Sequence, residues 1–395
     1  MERMTGVHSY RYQTAGQIVS GRRSLERLSD HMETLPRFRK ALVLSQPSIS
    51  RSGYLELVVR QLQEAGIACD CCLDIKPEPA IDNIDDVYAQ YGEEGYDLVV
   101  GIGGGSVLDA AKILSVMPNN AMPVREMIGV DKIARPGVPT VLIPTTSGTG
   151  SEVTPNAIVT LPEQELKIGI VSRHLLPRLV VIDPLITVGL PQPITAATGM
   201  DAFTHAFESF ISNKANPFSD MFALEAIRKI SGSIEAAYHE GDNVQAREDM
   251  LLGSMYGGMA LSCAGTAAVH ALAYPLGGKF NIPHGVANAM LLPHVTAFNL
   301  DAIAHRMMQA ASAMGLDPSG RNSDAQAAEQ VMKQIDHWTR SIHIPQNLRS
   351  YGVLEEHLPS LSVAASQVTR LMDNNPKKMT PDHIEAIYRK LLQRS

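Results

Sequence analysis

Short apolar runs separated by helical periods limit what the first half of this chain can become. Lys40-Ala-Leu-Val-Leu-Ser45, Tyr96-Asp-Leu-Val-Val-Gly-Ile102, Pro139-Thr-Val-Leu-Ile-Pro144 and Leu179-Val-Val-Ile-Asp183 read as strands, as does the run from Gly66 to Leu73. Between them, 53–66 carries Leu55, Val58, Val59 and Leu62 at helical spacing, and 81–92 and 107–117 read as further helices. Near-continuous Val/Ile/Leu strands spaced by helices predict a parallel sheet covered on both faces. From about Pro191 the pattern changes. Helical periods follow over 194–212, 217–240, 244–276, 287–298, 301–314, 331–342 and 381–392, with almost no β-type runs. Two prolines and a glycine in Gly189-Leu-Pro-Gln-Pro193 place the boundary there. The expectation is an α/β domain over 1–190 and an all-α domain over 191–395. The stretch from Pro118 to Pro139 is expected to be a surface excursion.

A length of 395 residues exceeds one ordinary core, which agrees with two domains. A net charge of −7 argues against nucleic acid or an anionic membrane as partner. No apolar run reaches the roughly 18 residues of a spanning helix. The first residues lack the apolar stretch of a leader, so the cytoplasm is the expected location. Cys69, Cys71, Cys72 and Cys263 complete no tetrahedral set and are expected to be buried, reduced thiols.

Two loops interrupt this framework at the ends of strands. Gly101-Ile-Gly103-Gly104-Gly105-Ser106 leads into a helix, where free N–H groups and a positive dipole end suit a pyrophosphate. Consecutive glycines let the backbone approach a ligand and accept unusual φ, although the spacing differs from G-x-G-x-x-G. Pro144-Thr145-Thr146-Ser147-Gly148-Thr149-Gly150-Ser151-Glu152 also follows a strand, and its hydroxyls suit a ribose or phosphate. Each loop alone could be a plain turn; two at the ends of parallel strands point to a nucleotide. In the second half Asp201 and His205 stand four apart and share one face of a helix. His270 lies in an apolar helix-like segment, and His284 in Pro283-His284-Gly285, which reads as a turn. One carboxylate and three imidazoles make a divalent-metal set. The plain alternatives are hydrogen-bonded core histidines and an Asp201 that caps a helix. Glu208 reads equally as a partner of the ligands or a surface charge.

Taken together, Gly103-Gly-Gly-Ser-x-x-Asp109, Pro144–Glu152, Asp201-Ala-x-x-His205-Ala-x-Glu208 and His270…Pro283-His284-Gly285 resemble the iron-containing (group III) alcohol dehydrogenases. The resemblance spans most of the chain. It implies a Rossmann-like dinucleotide-binding α/β domain, a helical domain and a cleft between them, a dehydroquinate synthase-like architecture. It also implies NAD- or NADP-dependent interconversion of alcohols and carbonyls, Fe²⁺ or alternatively Zn²⁺, and a homodimer. By the resemblance Gly103, Gly104, Gly105 and Ser106 hold the pyrophosphate and Asp109 lies beside the cofactor. Thr145, Thr146 and Thr149 line the ribose and nicotinamide, Lys167 approaches the ribose, and Asp201, His205, His270 and His284 hold the metal. Two positions depart from the family pattern. Gln46 stands where NAD-preferring members often carry aspartate, so repulsion of a 2′-phosphate is missing and Arg51 could assist one. Tyr274 stands where many members carry a histidine that aids proton transfer, which leaves Tyr274 and His270 as the residues expected at the chemistry. A glycerol-type polyol dehydrogenase is the alternative. A dehydroquinate-synthase-like lyase fits less well, because that group uses a Glu-His-His set.

Overall fold

The computed structural model describes residues 9–164, 166–316 and 323–393. The opening residues read above for a leader, 1–8, lie outside the described residues. The strands are β1 (Ile18–Ser20), β2 (Lys40–Leu44), β3 (Ala68–Cys72), β4 (Leu98–Gly103), β5 (Gly129–Val130), β6 (Thr140–Pro144), β7 (Asn156–Leu161), β8 (Leu166–Val171) and β9 (Leu179–Ile182). Six of them form one sheet in the order β1-β9-β6-β4-β2-β3, with every pair parallel. β4, β6 and β9 are buried throughout because helices cover both faces. Val107, Leu108 and Ala111 pack on one face; Leu55, Val58 and Leu62 pack on the other. The order reverses direction between β2 and β4, and the carboxyl ends of these strands flank the crevice where such sheets place ligands. Gly103 pairs with Pro144, so the glycine loop and the threonine loop leave adjacent strands side by side.

Three differences from the sequence expectations concern the site. First, β5, β8 and β7 make a small second sheet that the apolar runs did not reveal; β7 and β8 form an antiparallel hairpin. Its signal is the strict alternation of burial along Asn156–Leu161, the pattern of a sheet with one face packed. Second, the single helix expected over 244–276 is two, Val244–Ala264 and Ala268–Phe280, whose axes bend by 106°. Gly265, at φ 70°, makes the break. Third, the helices expected over 287–298 and 301–314 are one, running from His284 to Ala313. His284 is therefore the first residue of a helix and not part of a turn.

The thiols divide. Cys72 is buried, Cys69 and Cys263 are partly covered and Cys71 is exposed; all are free. β3 is an edge strand with one side open to solvent, so adjacent cysteines cannot all be internal. Among the described residues no single helix is long and apolar enough to cross a membrane.

The sheet-bearing half meets the helical half through backbone. Gly150, at φ 59°, lies against Gly258 of the Val244–Ala264 helix, and a Cβ at 258 would stand 2.6 Å from the Gly150 carbonyl oxygen. Backbone cannot move aside as a side chain can. Gly258→Ala is expected to destabilise the protein by about 1–3 kcal/mol, in the range of overpacked cores. Gly232→Ala, where nothing lies within 4 Å, is expected to leave the melting temperature level or slightly raised. Thermal unfolding of the two variants beside the parent checks this.

Candidate active site

One helix supplies the first two groups. Asp201 and His205 project from the middle of Gln192–Ile211, which removes the capping role considered for Asp201. Glu208, seven residues after Asp201, lies on the same face and is 1% exposed. Its carboxylate accepts the backbone N–H groups of Ala267 at 2.9 Å and Val269 at 2.6 Å, the opening of the Ala268–Phe280 helix. It also accepts from His270 Nδ1 at 2.7 Å. Glu208 is thus an internal carboxylate that satisfies helix-start donors and turns the His270 ring. His284 is brought in by Gly285. A Cβ at 285 would fall 2.2 Å from the Ala197 carbonyl oxygen, so only glycine lets the two helices approach this closely.

The ligand atoms of Asp201, His205, His270 and His284 all lie within 4.8 Å of one another. Asp201 Oδ1 stands 4.0 Å from His205 Nε2 and 3.7 Å from each of His270 Nε2 and His284 Nε2. These separations are too long for hydrogen bonds. They match two ligands about 2.1 Å from a shared ion. The outer ring nitrogens are occupied: His205 Nδ1 faces the Gly148 carbonyl at 3.2 Å and His270 Nδ1 faces Glu208. With Nδ1 donating, Nε2 of each ring keeps its lone pair toward the centre. His270 Nε2 is buried with no hydrogen-bond partner. Asn288 Nδ2 donates to Asp201 Oδ1 at 2.7 Å and sits 3.2 Å from His284 Nε2, holding both. Burial lowers the basicity of His205 and His284, the latter strongly and helped by Lys167, so both rings are neutral. Burial also pushes the Asp201 carboxyl upward, but the charge the three imidazoles carry when protonated, and the Asn288 amide, pull it down; the net direction is down, so Asp201 is ionised. Neutral imidazoles and a carboxylate aimed at one point fit a divalent cation.

A cleft of about 680 Å³ runs from this cluster to the ends of β2 and β4. Gln46, Gly104, Gly105, Ser106, Asp109, Thr146, Thr149, Lys167, Tyr274 and all four cluster residues line it; Gly103 and Thr145 do not. None of Gly103, Gly104 and Gly105 has a positive φ, contrary to expectation. Their use is close packing: a Cβ at 105 would stand 2.6 Å from Thr149. Asp109 faces the cleft, yet its oxygens are held within the protein by Ser151 Oγ, the Ile158 N–H and Lys112. Ser106 Oγ accepts the Glu78 N–H at 3.0 Å, and Lys167 Nζ pairs with Glu78 at 2.6 Å. Arg51 does not line the cleft, whereas Lys76 does. Sequence reading missed Asn288, Glu78, Arg370 and Lys112. Asn288 alone left a trace, one turn after His284.

A parallel-sheet half with a glycine loop at its ligand edge, set across a cleft from a buried Asp/His₃ cluster, is the organisation of a metal-dependent dehydrogenase. Residues 15–184 match the family described as iron-containing alcohol dehydrogenase, and 195–392 match the C-terminal part of the Fe-containing alcohol dehydrogenase family. The chain belongs to the iron-containing alcohol dehydrogenase family and is an oxidoreductase acting on alcohols and carbonyls. It is 38% identical over 350 residues to long-chain-alcohol dehydrogenase 1 of Geobacillus thermodenitrificans, covering 88% of each chain. It is 38% identical over 353 residues to 1,3-propanediol dehydrogenase of Klebsiella pneumoniae, covering 89% and 91%. The crystal structure of a 1,3-propanediol oxidoreductase superposes with TM-score 0.92 at 35% identity, over 97% of this chain and all of that one.

Beneath the threonine loop, Lys112 is fully buried and donates to the carbonyls of Ser151 and Asn156. Glu152, also buried, has its carboxyl pushed up to about 7 by desolvation. The folded state then holds a proton that the unfolded chain releases near pH 4.5, so this group's contribution to stability falls as pH rises from about 4.5 to 7. Glu152→Gln is expected to flatten that dependence and to raise the melting temperature relative to the parent more at pH 8 than at pH 5. Thermal melts at the two pH values measure the difference.

Proposed function

We propose that the chain is an NAD(P)-dependent, divalent-metal-dependent alcohol dehydrogenase and aldehyde reductase, with residues 1–190 holding the dinucleotide and 191–395 the metal and substrate. The observation that carries this reading is the convergence of Asp201 Oδ1 and three imidazoles, at 3.7–4.0 Å, in the same cleft as the glycine loop. Fe²⁺, or alternatively Zn²⁺, at Asp201, His205, His270 and His284 supplies the Lewis acidity that makes an alcohol hydroxyl easier to ionise, and the nicotinamide supplies the hydride chemistry.

The chain's own residues do the rest. Gly104, Gly105 and Thr146 give the dinucleotide's phosphates an unobstructed backbone edge at a helix start, and Thr149 braces Gly105 from behind. Gly103 and Thr145 support this loop from beneath. Lys167 presents an ammonium between Glu78 and His284, in reach of a ribose. Asp109 keeps the threonine loop in place. Tyr274 is 6% exposed, with its ring 6.0 Å from that of His284. Burial raises its pKa, against a smaller opposing effect of Arg370. The phenol therefore stays protonated in the resting protein at neutral pH; in carbonyl reduction its proton goes to the oxygen as the hydride reaches carbon and solvent restores it, and in alcohol oxidation the same oxygen takes the proton back. His270, fixed by Glu208, would offer its Nε2 lone pair to the metal.

Gln46 leaves the ribose edge without a carboxylate, and Lys76 adds a cation to the same cleft, so both NADH and NADPH are to be tried. A polyol dehydrogenase would use the same chemistry, and the relatives named 1,3-propanediol dehydrogenase make diols part of any substrate panel. The lyase alternative draws no support from relatives named as alcohol dehydrogenases and reductases. A cytoplasmic homodimer completes the reading, and sedimentation of the purified protein tests the dimer.

Elemental analysis, then turnover of aldehydes with each cofactor, tests the whole proposal; metal-loaded protein inert with both cofactors across a broad panel would sink it. His284→Ala is expected to lose stoichiometric metal. Glu208→Gln is expected to retain the fold and bind metal about 10–100-fold more weakly, read by competition with a chelator. Tyr274→Phe is expected to slow carbonyl reduction by about 10²-fold or less while leaving metal content unchanged.

A further inference from the structure

The cleft wall beside the cluster carries a cation whose side-chain partner is a neutral phenol and not a carboxylate. Arg370 lies in the short helix Thr369–Met372 and lines the cleft with His270, Tyr274 and His284. Its guanidinium stands beside the Tyr274 phenol, and so one side chain away from the cluster. Across β8, its terminal nitrogen would stand 3.2 Å from a Cβ at position 169. Gly169, two residues beyond Lys167 on the same strand face, leaves open the space the guanidinium occupies. The carboxylates of the cleft wall are all engaged elsewhere, Asp201 in the cluster and the other two in ion pairs. Lys167 pairs with Glu78 and Asp109 with Lys112. Among the described residues no carboxylate lies within ion-pairing distance of Arg370. The same holds for Lys214, which lines the cleft from the turn after the Gln192–Ile211 helix. The wall near Arg370 is also polar: Asn374 is buried, donates to the Thr266 carbonyl, and keeps a side-chain oxygen without a partner. An alkyl sleeve would not be built this way.

Resting on the dehydrogenase reading above, we propose that the preferred carbonyl substrate is a short aldehyde whose far end is an anion, held by Arg370. A planar guanidinium offers paired donors to a carboxylate, sulfonate or phosphate, and next to a buried phenol it is partly shielded from water. With the carbonyl at the Asp/His₃ cluster and Tyr274 alongside, the anion meets Arg370, so Arg370 sets both which aldehyde binds and which way it faces. Lys214, nearer solvent, adds attraction at the mouth.

The test compares aldehydes of equal chain length ending in carboxylate, sulfonate, phosphate or an uncharged hydroxymethyl group. The metal-loaded enzyme is saturated with whichever of NADH or NADPH it uses. The ratio of kcat/KM, anionic over neutral, is expected to be about tenfold or more for at least one anion. That ratio is expected to collapse toward one in Arg370→Gln and to be partly kept in Arg370→Lys. Taking the ratio cancels any disturbance of Tyr274, since both substrates share it. Gly169→Val, which crowds the guanidinium from below, is expected to lower the ratio without removing the charge. A ratio near or below one in the parent, or one unchanged in Arg370→Gln, overturns the anion assignment while leaving the dehydrogenase reading standing. Absence of turnover with every aldehyde overturns the dehydrogenase reading instead. The anion site is then judged by thermal shift: a short dicarboxylate is expected to raise the melting temperature of the parent but not of Arg370→Gln, and an equal effect on both rejects it.

Discussion

The Glu208 carboxylate is the interaction on which the active region depends. It sits on the helix that carries Asp201 and His205, yet its three hydrogen bonds go to the start of the helix that carries His270. A helix start leaves backbone donors unsatisfied, and burying them without acceptors costs on the order of 1–3 kcal/mol each. Glu208 answers that need at the point where Gly265 breaks the chain's direction. Gly265 makes the break, Glu208 holds the donors that it exposes, and the 106° bend delivers His270 to Asp201. Truncating this side chain, with no acceptor oxygen left, would unsettle the fold and the cluster together, since the same atoms serve both.

The sheet contributes differently. Its central strands β4 and β6 are buried from end to end, so their carboxyl ends are rigid posts from which two loops project. Lys112 fastens the second loop from below by holding carbonyls of Ser151 and Asn156, and Asp109 grips Ser151 from the helix Gly105–Val116 that follows the glycine loop. A buried lysine and its carboxylate thus do for the nucleotide edge what Glu208 does for the cluster: they fix irregular backbone that no regular hydrogen-bond ladder would hold.

Much of this was legible in the chain. Continuous apolar strands announced the parallel sheet, and the i, i+4 spacing of Asp201 and His205 announced a shared helical face. What escaped had physical reasons. The run from Val244 to Leu276 carries formal charge only at Arg247, Glu248 and Asp249 and is largely apolar beyond, so its periodicity passes through Gly265 without marking the bend. The β7–β8 hairpin is short and half exposed, and its alternation was overshadowed by the continuous strands around it. Glu78 and Arg370 reach the cleft through tertiary packing, from elements that share no local pattern with the loops they face, and Asn288 meets Asp201 across two helices far apart in sequence. The charge-state reasoning for Tyr274 needed burial, which spacing does not provide.

The contact between Gly150 and Gly258 has a mechanical meaning. It lies two residues along the loop from Gly148, whose carbonyl faces His205. Main chain against main chain cannot be compressed, so the contact acts as a spacer: it sets how far the Gly148 carbonyl stands from the His205 ring, and through that ring how the cluster is held.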